Sequence, residues 1–163
     1  MSDPLSIYLD DHLAGSSFAI ELLESMRDRF QNQPLGEFAE ALLADVREDQ
    51  QVLRRIMERV GKSGLELKTA VGWVAEKLSR MKLHDDDGAG LGTLETIETL
   101  TLGILGKAAL WNVLEAIRDQ DPRVGNEDFA QLGARARAQH ARAEEQRLQL
   151  ARKIFGPVAE VER

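Results

Sequence analysis

The stretch PLGEFAEALLADVREDQQVLRRIMERVG, Pro34 to Gly61, decides the fold. Phe38, Leu42, Val46, Asp49, Leu53, Ile56 and Val60 recur every three or four residues, so one face of a helix over about 35–60 is apolar except at Asp49. Gly61 is placed to end it. A stripe of this length needs an equally long partner, and the sequence on its N-terminal side supplies one. Asp3 is positioned to cap, and Pro4 fits the first helical position, where its missing N–H costs nothing. From there Leu5, Leu9, His12, Ser16, Ala19, Ile20, Leu23 and Phe30 share a face to about residue 30. Gln31–Pro34 is too short to allow anything but an antiparallel hairpin.

Working towards the C-terminus, Ser63 and Glu66 form a capping-box pattern before a shorter helix over 67–81, with Val71, Val74 and Leu78 on one side. A polar loop, His84–Gly90, follows. The run Asp85-Asp86-Asp87-Gly88 reads as a solvated loop, because the later ligands of a calcium-binding loop are missing. A third long helix over 91–118 carries Leu94, Glu98, Thr101, Leu105, Ala108, Trp111 and Ile117, and stops before Asp121-Pro122. Asn126 is the expected cap of a fourth, over 126–155, bearing Phe129, Leu132, Ala136, Gln139, Ala143, Leu150 and Ile154 and ending at Gly156-Pro157. The expected architecture is one all-α domain over 1–163: two antiparallel hairpins forming a four-helix bundle. The connection between the hairpins, some 30 residues, is long enough to run the length of the bundle.

Composition supports that class and excludes others. Aromatics make up only 5% of the 163 residues and there are four prolines, which leaves little material for sheets. The absence of cysteine excludes disulfides, thiolate metal sites and cysteine nucleophiles. A net charge of −7 disfavours nonspecific nucleic-acid binding, which rests on Lys and Arg neutralising phosphates. Arg135, Arg137, Arg142, Arg147, Arg152 and Lys153 read as a solvated face, interrupted as they are by Glu144 and Glu145. No stretch approaches the roughly 20 apolar residues of a membrane span, and the acidic N-terminus is unlike a secretion signal. A cytoplasmic location, with no nucleic-acid or membrane partner, is the expectation.

The stretches YLDDHLAGSSFAIELLE (Tyr8–Glu24), EDQQVLRRI (Glu48–Ile56), WVAEKLSRMKL (Trp73–Leu83) and LGTLETIETLTLGILGKAALWNVL (Leu91–Leu114) resemble a group of bacterial ferritin-like proteins. The resemblance implies a four-helix bundle with one crossover between its second and third long helices. In active members it also implies two metal ions, iron or manganese. These are held by a Glu on the first and third helices and a Glu-x-x-His pair on the second and fourth. No Glu-x-x-His occurs here: Leu9, Met81 and Arg137 stand three residues before His12, His84 and His140. On the second helix Glu48 is followed at that spacing by Gln51, and on the fourth Glu144 by Arg147, whose guanidinium cannot ligate a metal.

Polar residues nevertheless punctuate the apolar faces: His12, Ser16, Asp49, Glu98, and Gln139 or His140. Counting outward from each hairpin turn puts Asp49 level with Ser16 and about one turn from His12, and puts Glu98 level with Arg147. Mutual hydrogen bonds and an ion pair between Glu98 and Arg147 give the simplest account. A polar pocket formed by Asp45, Asp49, Glu95, Glu98 and His12 is the alternative, and these five are the candidate ligands of a metal. His140 reads as a half-exposed histidine on a charged face, and Trp73 and Trp111 as packing anchors. Gly103 and Gly106 lie mid-helix, where glycine costs about 1 kcal/mol relative to alanine, and admit either the crossover helix or a second subunit. The functional expectation is a non-enzymatic scaffold or interaction protein, with self-association through a helix face. The runner-up is a carboxylate-rich metal protein of redox or storage type. The third is a small apolar ligand held in a cavity of Leu105, Ala108, Trp111 and Ala136.

Overall fold

A computed structural model describes residues 3–61 and 88–157. Among these residues there are four long helices and no strand: α1 (Pro4–Arg29), α2 (Pro34–Val60), α3 (Leu91–Ile117) and α4 (Phe129–Phe155), with a single 3₁₀ turn at Pro122–Val124. The expected helix over 67–81, with Trp73 and His84, lies outside the described residues.

The helix ends follow from local chemistry. Asp3 Oδ1 accepts from the Leu5 amide at 3.1 Å, with Pro4 next in line. The fourth helix starts three residues later than expected, because Asp128 rather than Asn126 accepts from the Gln131 amide at 2.9 Å and caps it. In the first hairpin turn Asn32 adopts φ 61°, a left-handed conformation that its short polar side chain tolerates. Gly36 is required there for a different reason: a Cβ on it would lie 2.1 Å from the Phe30 carbonyl oxygen. Backbone cannot yield as a flexible side chain can, so Gly36→Ala is expected to destabilise the protein by about 1–3 kcal/mol, read as a lower urea midpoint.

Three ties fix how the hairpins are disposed. Ser6 Oγ donates to Gly61 O at 2.9 Å. Arg59, near the end of α2, donates to Val124 O at 2.7 Å and to Glu127 at 2.8 Å. Arg123 reaches Asp3 at 2.6 Å. The start of α1, the end of α2 and the α3–α4 link therefore share one end of the bundle. At the other end Arg29 donates to Gly88 O at 3.1 Å, beside the start of α3. The order is up, down, down, up: α2 and α3 run in the same direction, and residues 61 and 88 stand at opposite ends.

Apolar faces close the bundle in two clusters. Phe18, Leu22, Leu23, Met26, Leu42, Val46, Leu94, Ile97, Ile104, Ala143 and Leu150 belong to one. Leu9, Leu13, Leu53, Ile56, Leu110, Trp111, Leu114, Phe129 and Ala136 belong to the other. The division falls at the same height in every helix: between Leu13 and Phe18, Val46 and Leu53, Ile104 and Leu110, and Ala136 and Ala143.

The third helix departs from expectation in two respects. Its buried face carries Leu94, Ile97, Leu100, Thr101, Ile104, Trp111 and Leu114, whereas Glu98 is exposed and Leu105 is 47% exposed. The helix is also long and apolar enough, by length and composition alone, to cross a membrane, with a mean hydropathy of 1.4 in its most apolar window. The expectation that no stretch approaches a span is corrected on this point. One cause explains both departures: α3 carries leucines outside its core face, so periodicity alone does not choose the face.

Candidate functional site

The two apolar clusters are separated by a layer of polar side chains at mid-height. Asp49 of α2 and Gln139 of α4 are almost completely enclosed, at 3% and 1% exposure. Lys107 of α3 extends between them, with its Nζ 2.5 Å from Asp49 Oδ2 and in hydrogen-bond contact with Gln139 Oε1. Gln139 Nε2 completes the triangle by donating to the same Asp49 Oδ2 at 3.1 Å. An isolated ion would be costly at such a position, but here ammonium, carboxylate and amide satisfy one another.

A second cation closes over the carboxylate. Arg135 Nη2 stands 2.8 Å from Asp49 Oδ1 and Nη1 stands 2.9 Å from Glu48 Oε1. The first contact is ionic but poorly aligned, so Asp49 Oδ1 and Arg135 Nε are buried without a hydrogen bond. One turn away Arg142 pairs with Asp45. Lys107, Arg135 and Arg142 thus face Asp45, Glu48 and Asp49, and the six charges balance. Burial holds the Lys107 ammonium below its ordinary value of 10.5, with the charge and hydrogen bond of Asp49 opposing that shift.

The five candidate metal ligands do not meet. Asp49 is engaged by Lys107 and Asp45 by Arg142. Glu98 pairs with Arg147 at 3.1 Å, the partner that counting from the turn anticipates, and Glu95 is exposed. His12 packs edge-on against Tyr8, with ring centroids 4.7 Å apart. Its imidazole is held below the ordinary histidine value by burial, which the nearby Asp11 charge offsets in part. Among the described residues no three His, Cys, Asp or Glu side chains converge where a metal could sit. The donor set at the centre, one carboxylate flanked by an ammonium and a guanidinium, does not fit the two ions that the resemblance implies.

Ser16, the expected neighbour of Asp49, bonds instead to the next residue: its hydroxyl accepts from Gln50 Nε2 at 2.8 Å and donates to Leu13 O. Sequence reasoning misses Lys107 altogether, although it stands at i+7 from Leu100 and i−4 from Trp111, on their face of α3. Trp111 is the packing anchor expected of it, 1% exposed and stacked on Phe129 with centroids 6.3 Å apart.

Beside the polar layer, α1, α2 and α3 line a half-open pocket of about 320 Å³, with Gly15 and Gly103 exposed in its lining. Of the four residues expected around an apolar cavity, Trp111 lines this one, while Leu105, Ala108 and Ala136 do not. Gly15, Gly103 and Gly106 all border it, and a Cβ added to any of them meets no described atom within 4 Å. Among the described residues the two α3 glycines therefore admit open space rather than a closely packed neighbour. Set against family models, curated proteins and solved structures, the chain matches none of them.

Proposed function

We propose that this chain is a ferritin-like bundle without chemistry of its own, a scaffold or interaction protein in which an ion-paired network stands where active relatives hold two metals. The observation that carries this reading is the Lys107 ammonium 2.5 Å from Asp49 at the centre of the bundle. A cation supplied by the chain itself neutralises the one carboxylate buried among the described residues, so no metal is needed to compensate it. The up-down-down-up order of helices supports the ferritin-like assignment, being the order a single long crossover produces. Leu102, Leu105 and Val113, at 64%, 47% and 40% exposure on α3, support association through a helix face, with a second copy as the simplest partner.

Elemental analysis of protein purified without chelator, then incubated in turn with ferrous iron and manganese and desalted, tests the reading. The expected result is no near-stoichiometric metal in the wild type. Metal retained at near one or two equivalents, and lost in Asp49→Ala or Glu98→Ala, would overturn it in favour of a divergent metal protein.

A further inference from the structure

The pocket between α1, α2 and α3 is half open and bordered by glycines. Gly103 and Gly106 occupy mid-helix positions where alanine is favoured by about 1 kcal/mol, and no described atom occupies the space beyond them. Gly15 faces the same space from α1. Its walls are mostly apolar, with Phe18, Leu22, Leu42 and Ile104 among them. Its volume, about 320 Å³, is at the lower end of small-molecule pockets.

Two polar side chains in the lining have unused hydrogen-bond donors. The indole Nε1 of Trp111 is buried and has no hydrogen-bond partner, in a side chain that is 1% exposed. Lys107 uses two of its three N–H donors on Asp49 and Gln139, and the third has no partner among the described residues. Both residues line the cavity. At its inner end the pocket offers these unused donors, while the unbonded acceptor there, Asp49 Oδ1, already faces the Arg135 guanidinium at 2.8 Å, so that end suits an apolar molecule bearing an acceptor oxygen.

Charge then narrows the class. The six ionised groups around the centre already balance, so an anionic head would bring an unpaired charge into a buried layer, at a cost a neutral oxygen avoids. We infer that this cavity is a binding site for small neutral hydrocarbons carrying one carbonyl or hydroxyl oxygen, with Lys107 donating to that oxygen. The inference goes beyond the scaffold reading, and its test measures ligand rather than metal.

The test uses the full chain carrying Trp73→Phe, so that fluorescence reports Trp111 alone. It is titrated with 2-nonanone, nonane and nonanoate, with calorimetry in parallel. The expected result is saturable binding of 2-nonanone, tighter than that of nonane and nonanoate by about tenfold or more, the worth of a hydrogen bond from a charged donor. Gly103→Leu and Gly15→Leu, which fill the space from opposite walls, are expected to abolish binding and to melt no lower than wild type. In Lys107→Met/Asp49→Leu the preference for ketone over alkane should disappear. No saturable binding of 2-nonanone up to its solubility, or undiminished binding in both glycine variants, would overturn the site. Nonane binding as tightly as the ketone, or nonanoate binding tighter, would overturn the neutral-oxygen assignment.

Discussion

Lys107→Met is expected to lower the unfolding free energy by about 3–5 kcal/mol, the loss that follows when one partner of a buried ion pair is removed. Methionine preserves most of the lysine stem, so little of that loss comes from packing. The loss arises at Asp49, whose side chain is 3% exposed and whose Oδ2 would keep only the Gln139 amide at 3.1 Å. Arg135 is not aligned to replace the ammonium, since its contact with Oδ1 makes no hydrogen bond. Against a typical total of roughly 5–15 kcal/mol, this is a large fraction of stability. Urea unfolding followed by circular dichroism measures it directly. A loss below about 1 kcal/mol would show the pair to be solvated.

Trp111→Ala is the second large effect, again about 3–5 kcal/mol, the usual range for truncating a buried aromatic. The indole joins α3 to the Phe129 ring at the start of α4, and it is 1% exposed. Because it lines the existing cavity, its removal enlarges a void that the surrounding helices have not collapsed to fill. Trp111→Phe should cost clearly less, since Nε1 has no hydrogen bond to lose. Thermal melts of the two variants separate these contributions: equal losses would mean that the indole nitrogen has a partner.

Much of this architecture is legible in the sequence, and the reason can be located. In α2 the apolar stripe is narrow and its opposite face charged, so Asp49 stands out as a polar residue on a core face. Gln139 stands out in α4 for the same reason. Equal counting from the second turn is enough to pair Glu98 with Arg147, because antiparallel helices of equal pitch keep level. The third helix defeats the method, since Leu102, Leu105 and Val113 are as apolar as the residues that pack inside. A phase fitted through Glu98 and Leu105 turns Lys107 away from the core, and with it the residue that organises the centre. The cavity is illegible for a different reason: it depends on three glycines on two helices meeting at one height, which no single helix records.

The central claim is that Lys107 and Asp49 stabilise each other inside the bundle. A double-mutant cycle on Lys107→Met and Asp49→Leu, measured by urea unfolding, tests it most directly. The prediction is that each single variant loses about 3–5 kcal/mol while the double variant loses clearly less than the sum, because the second substitution removes the charge that the first leaves unpaired. Gln139, stripped of both partners, keeps the double variant below wild type. Losses that simply add in the double variant would mean that the two side chains do not depend on each other, and would contradict the account.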